Sequence, residues 1–255
     1  MVVLKTAQEI ALMRQAGRVV AIVLAELKAR VAPGVSLMAL DELAEKLILQ
    51  HGALPSFKNY QPKGAPYPFP ASICASVNEE VVHGIPGPRK LKEGEIVKLD
   101  VGVHYKGYHA DSAITVGVGN ISPRAQRLIE TTQECLAAAI AAARKGNRFG
   151  DIGAAIQRVA ESKGYAVVHQ YASHGVGREL HEGFGLPNTG QAERGMLLRP
   201  GLTIALEPMI NEGRAETKVK KDGWTVVTID GKLSAQFEHT IAITDGEAEI
   251  LTKLD

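Results

Sequence analysis

The stretch VKLDVGVHYKGYHADSAITV, residues 97–116, constrains the fold more tightly than any other part of the chain. Val97, Leu99, Val101 and Val103 alternate with Lys98, Asp100, Gly102 and His104, the period-2 pattern of a strand. YKGY is a turn signal, and Ala113, Ile114, Thr115 and Val116 resume the apolar run, so the whole reads as a hairpin. A turn centred between Tyr105 and Lys106 sets Asp100 directly opposite Asp111. A centre at Lys106–Gly107 offsets the two by one diagonal. Either way two carboxylates share a face, although like charges destabilise a strand pair and strands generally avoid Asp.

Two more acids sit in apolar surroundings, Glu207 in TIALEPMI and Glu238 in SAQFEHTIAIT. An ionised carboxylate is costly to bury unless it is paired or bound to a metal. Lys98 and nearby arginines can compensate one or two of the four, but there is no matching set of buried bases. The excess points to a cation. A further ligand candidate is His174 in YASHGVGRELHE, followed by Gly175-Val176-Gly177, where backbone can approach a ligand closely. Four carboxylates and an imidazole are too many for one tetrahedral zinc. They suit two divalent ions roughly 3.5–4 Å apart with bridging carboxylates. Taken singly each residue has a plainer reading: a solvated aspartate at a strand edge, a hydrogen-bonded loop histidine, Glu238 paired with His239 or an arginine.

The 255 residues suit one large domain or two intimately joined halves, and 45% hydrophobic with 22% charged residues is ordinary globular material. A formal charge of +1 gives no case for nucleic acid or a membrane surface. Two cysteines, Cys74 and Cys135, make no disulfide framework, which favours a reduced cytoplasmic setting. No signal peptide or membrane span is expected.

The element order repeats. Thr6 and Glu9 have capping-box spacing ahead of a helix, Ser36 caps a second, and strands follow a Pro-rich connection. After Gly119, Ser122-Pro123 opens a third helix, Asp151 caps a fourth, and strands follow again. Gly34 and Gly52 flank the second helix 18 positions apart; Gly146 and Gly164 flank the fourth 18 apart, displaced by 112 residues. The expected architecture is α+β, a single domain over 1–255 with related halves of about 1–119 and 120–255. Its site would lie where the halves meet.

FPASICASVNEEVVHGIPG, LDVGVHYKGYHADSA, SHGVGRELHE, TIALEPMI and DGWTVVTIDGKLSAQFEHTIAIT together closely resemble the type I methionine aminopeptidases, from about Lys5 to Thr244. The resemblance implies the pita-bread fold, two pseudo-symmetric halves around a curved antiparallel sheet forming one catalytic domain. It implies removal of the N-terminal initiator methionine when the second residue is small, by water activated between two divalent ions (Co, Mn, Fe or Zn). Asp100 then chelates one ion, His174 and Glu207 the other, and Asp111 and Glu238 bridge. Glu207 shuttles a proton, His83 contacts substrate near its free N-terminus, and His181 contacts the scissile carbonyl. Cys74, Phe69 and Trp224 match the methionine pocket. The implied partner is the N-terminal methionine of nascent chains near the ribosome, and the implied form a cytoplasmic monomer resembling the short bacterial enzymes.

Four departures stand out. QPKGAPYP between Tyr60 and Phe69 is longer than in many relatives, leaving the pocket rim open to change. Leu180 replaces a common Phe and removes an expected pocket wall, with Phe184 the candidate substitute. Ser173 replaces a common Gly, and HEGFGLPN lacks the usual acidic-then-Pro run. The rival readings are a proline-specific peptidase on the same fold and a binding module that has lost its metals; the second conflicts with retention of all five ligand positions.

Overall fold

The computed structural model describes residues 2–254. Met1 and Asp255, the ends of the expected single-domain span, lie outside the described residues. The first half contains helices α1 (Ala7–Arg30) and α2 (Leu37–Gln50), then strands β1 (Leu54–Pro55), β2 (Cys74–Val77) and β3 (Glu80–Val82), then the long hairpin β4 (Ile96–Tyr105) and β5 (Tyr108–Gly117). The second contains α3 (Pro123–Ala142), α4 (Phe149–Ser162), β6 (Ala166–Val167), β7 (Ala172–Gly175), β8 (Glu182–Pro187), β9 (Thr203–Leu206), β10 (Met209–Asn211), β11 (Thr217–Val219), β12 (Val226–Thr228), β13 (Ser234–Gln236), β14 (His239–Ala242) and β15 (Glu249–Ile250).

Three helices start at the expected caps. The Thr6 hydroxyl accepts from the Glu9 amide, while Glu9 accepts from the Thr6 amide at 2.9 Å. Ser36 accepts from the Ala39 amide, and Ser122 from the Ala125 amide just ahead of Pro123. The fourth start differs from expectation. Asp151 is not the cap residue but lies one turn inside α4, where it accepts from the Arg148 and Glu193 amides, each at 2.7 Å. An acid at either position supplies the same charge to the exposed amides of the first turn.

In the hairpin Tyr105 faces Tyr108, and Lys106 and Gly107 form a two-residue turn with φ of 48° and 85°. Positive φ at both positions is the turn whose twist matches that of the flanking strands, and glycine takes it without a steric penalty. This selects the Lys106–Gly107 centre and rules out direct opposition. Asp111 faces Gly102 and Asp100 faces Ala113, so the two carboxylates are diagonal neighbours on one face.

The alternation in β4 sorts the hairpin into two faces. Val97, Leu99, Val101 and Val103 pack beneath α1 and α2 through Val20, Leu24, Leu27 and Leu40. Lys98 and Asp100 therefore point the other way, toward the second half. There, α3 and α4 cover Ile204, Leu206, Ile210 and Ile241 in the same manner. β12 pairs with β3, and Thr115 on β5 exchanges hydrogen bonds with the Gln236 backbone. The Asp111 amide donates to the Thr240 hydroxyl, which donates back to the Asp111 carbonyl. The strands fall into four antiparallel sheets, and these contacts stitch the halves together with helices outside and the acids inside.

The two halves also match in detail. Gly34 and Gly146 both have φ of +90°, and their amides donate to Leu91 and Leu198 respectively. Leu91 and Leu198 donate in turn to Val35 and Asn147, which are displaced by the same 112 residues.

Candidate active site

Each acid reaches the interior from a different element. Asp100 lies in β4, Asp111 in β5, Glu207 between β9 and β10, and Glu238 between β13 and β14; His174 is on β7. Ligand atoms of Asp111, His174 and Glu238 all lie within 4.8 Å of one another. His174 Nε2 is 3.7 Å from a Glu207 oxygen and 3.9 Å from an Asp111 oxygen.

The imidazole decides what belongs between them. His174 Nδ1 donates to the Gly175 carbonyl at 3.0 Å, so Nε2 of the neutral ring carries a lone pair. Burial holds the ring's pKa down to about 3. A lone pair thus faces two carboxylates, an arrangement that a bound cation satisfies. Asp100 Oδ1, Asp111 Oδ1 and Glu238 Oε1 are each buried without a hydrogen-bond partner. Burial, followed by mutual repulsion, pushes Asp100 and Glu238 well above the usual carboxylate range. Burial raises Glu207 likewise and brings Asp111 up to about 7.

Lys98 does not compensate these charges. Its fully buried ammonium donates to the Asn78 and Ser234 carbonyls at 2.7 and 2.8 Å. Nor is Glu238 paired with His239, whose Nδ1 is engaged with the Thr252 hydroxyl at 2.8 Å. No lysine or arginine forms a salt bridge with the four acids among the described residues. One imidazole and four oxygen-donor side chains fit divalent metal binding.

Beside this acidic end lies a cavity of about 340 Å³. The ten site residues expected from the sequence all line it: Asp100, Asp111, His174, Glu207 and Glu238, with Phe69, Cys74 and Trp224, and His83 and His181; Cys74 faces Asp100 across β2 and β4. Phe69 meets Trp224 edge-on with ring centroids 5.1 Å apart, making a soft apolar wall that favours a thioether. The His181 ring lies 4.2 Å from that of His174. His83 packs edge-on against Tyr171 and Trp224, and its φ of 58° is a strained backbone state for a residue with a Cβ. Burial lowers His83 to about 4, and desolvation lowers the more exposed His181 as well.

Two expectations about the pocket are corrected. Leu180 is itself a wall, 3% exposed and packed with Phe57, Phe69 and Trp224. Phe184 does not substitute for it. That ring packs at a tilt against Phe149 in the α3–α4 core, 5.6 Å between centroids, because Gly175 leaves room for it there. Sequence reasoning missed Phe57, Tyr60 and Pro62, which complete the lining. All three sit in the Pro-rich connection, where no strand or helix period indicates which way a side chain points.

A model of metallopeptidase family M24 matches residues 11–245. The chain belongs to this family. Among the M24 metallopeptidases, methionine aminopeptidase 1 of Bacillus subtilis is 47% identical over 254 residues, covering 100% of both chains. A crystal structure of methionine aminopeptidase from Thermotoga maritima matches with a TM-score of 0.96 at 44% identity, again over 100% of both chains. An Xaa-Pro dipeptidase from Bacillus anthracis matches with a TM-score of 0.78 at 22% identity, covering 99% of this chain and 62% of its own. That second likeness is one of fold alone. The M24 chain therefore has the two-halved pita-bread fold anticipated from its motifs.

Proposed function

We propose that this M24 chain is a methionine aminopeptidase, a hydrolase that removes N-terminal methionine from polypeptides whose second residue is small. The observation that carries the reading is the apolar cavity walled by Phe69, Cys74, Leu180 and Trp224, opening directly onto the cluster of Asp111, His174 and Glu238. A methionine side chain fills the apolar end, which leaves its α-amine and scissile carbonyl among the acids and histidines.

Asp100, Asp111, His174, Glu207 and Glu238 would hold two divalent ions. When bound, such ions polarise a carbonyl and bring the pKa of water toward neutrality. Co, Mn, Fe and Zn all accept this donor set. Glu207 holds and moves the proton: Gln236 Nε2 donates to Oε2 at 3.3 Å, which leaves Oε1 to face the site. It takes a proton from the attacking water and delivers it to the leaving amine. His181 donates to the scissile carbonyl as negative charge develops there, and His83 orients the substrate near its free N-terminus. The buried walls exclude bulk water and strengthen these interactions.

Substrates would be nascent chains met near the ribosome in the cytoplasm, by a monomer. No helix among the described residues is long and apolar enough to cross a membrane, and both cysteines are free thiols. The proline-specific alternative is separated by a direct comparison. Metal-loaded protein is expected to cleave Met-Ala-Ser and leave Ala-Pro peptides intact. Preference for the Ala-Pro series would overturn the methionine reading.

A further inference from the structure

Tyr60 stands at the root of the extended 61–68 loop. Its hydroxyl lies 2.8 Å from His181 Nδ1, and both side chains line the cavity. A neutral imidazole carries one proton, on one of its two nitrogens, and the hydrogen bond made by one nitrogen sets the state of the other. A phenol O–H is a good donor and an imidazole nitrogen lone pair a good acceptor, so Tyr60 donates and Nδ1 accepts. The proton then resides on His181 Nε2, which has no protein hydrogen bond among the described residues.

We propose that Tyr60 is a positioning residue for catalysis, whose hydroxyl holds His181 in the Nε2–H tautomer so that it presents a donor to the scissile carbonyl. This rests on the methionine aminopeptidase reading and adds to it a residue that acts through His181. Without the hydroxyl the ring is free to place its proton on Nδ1, and Nε2 then turns a lone pair toward a carbonyl oxygen that needs a donor.

The loop is built to hold the phenol in place. The Asn59 amide donates to the Phe69 carbonyl and the Phe69 amide to the Tyr60 carbonyl, each at 2.8 Å, pinching the loop shut at its base. The Tyr60 amide donates to Phe57, and Asn59 takes φ of 66° to make the bend. At the far end the Tyr67 hydroxyl donates to the Asp222 carbonyl at 2.6 Å. Pro66 packs on Gly223, where a Cβ would come within 2.6 Å of the proline ring. The insertion is therefore fixed at both ends, with Tyr60 at one and the neighbour of Trp224 at the other. The rings of Tyr60 and His181 lie 5.2 Å apart at 33°, so the contact is a directed hydrogen bond and not a face-to-face stack.

The experiment is Tyr60→Phe, which keeps the ring and its packing and removes only the hydroxyl. In ¹⁵N spectra of the metal-free protein, His181, assigned by its loss in His181→Ala, is expected to be the Nε2–H tautomer in the wild type. In Tyr60→Phe it should shift to a mixture or to Nδ1–H. With metal restored, kcat on Met-Ala-Ser should fall about tenfold, the rate equivalent of one hydrogen bond, with KM within twofold. In a His181→Ala background the same substitution should cost nothing further. An unchanged His181 tautomer in Tyr60→Phe, or an equal loss of kcat with and without His181, would overturn the proposal. Because the tautomer is read without metal or substrate, a wild type that fails to release methionine would count against the function and leave this test standing.

Discussion

Lys98 shows how a single residue can mislead when only its type and neighbours are known. In sequence it looks like a counter-ion for Asp100, two positions along the same face. In the fold its side chain extends to the junction between the halves and bonds two main-chain carbonyls. Burial pulls its pKa down from 10.5 to about 7. Lys98→Met is expected to take a donor from both carbonyls, of which Asn78 keeps the Ser234 amide at 3.1 Å, and to cost about 1–3 kcal/mol in urea unfolding at neutral pH. The pH dependence has a definite sign. The folded pKa lies below the unfolded one, so wild-type stability should rise relative to Lys98→Met as pH increases from 7 to 10.5. A difference that stays flat across that window would show that the lysine is not desolvated. The site acids, by contrast, were legible because no other buried partner was in sight for four carboxylates in strands.

At the scale of elements, helices were easier to read than strands. Thr6, Ser36 and Ser122 mark their helices by local hydrogen bonding, which sequence records directly. The hairpin was recognisable from its period, yet its centre depended on one backbone turn, and the Lys106–Gly107 turn moved Asp111 from opposite Asp100 to opposite Gly102. In the second half β9, β10, β13 and most of β14 are buried on both faces and only three or four residues long, so no alternation marks their limits. Glu9 provides a test at this scale. It accepts from the Thr6 amide, from the Tyr108 hydroxyl at 2.7 Å and from Arg178 at 3.1 Å, joining α1 to the hairpin and to the segment before His181. The Thr6 amide above all, then Tyr108, holds its pKa down at about 2 against 4.5. Stability conferred by Glu9 should therefore be complete above pH 4.5 and lost as pH falls toward 2. Thermal melts of wild type and Glu9→Gln are expected to converge over that interval; a constant gap would contradict it.

Over the whole molecule, the folded chain gathers charges that would repel one another in the absence of a cation. Asp111 has its pKa raised from 3.8 to about 7, so its contribution to metal-free stability is present below pH 3.8 and lost as pH rises through 7. Asp111→Asn should accordingly gain on wild type in metal-free melts as pH rises from 4 to 7. Divalent metal reverses that order: at a hundredfold excess over Kd it should stabilise wild type by about 2.7 kcal/mol. Asp111→Asn should receive much less. If metal stabilised both proteins equally, Asp111 would not be a ligand.

The most direct test of the central claim is release of methionine from Met-Ala-Ser by metal-stripped protein, with Co, Mn, Fe(II) or Zn added back singly and Asp111→Ala alongside. The fold, the acid cluster and the adjoining apolar cavity together predict activity that returns with metal in the wild type and is absent in the variant. Folded wild-type protein that releases no methionine with any of these ions would contradict the account.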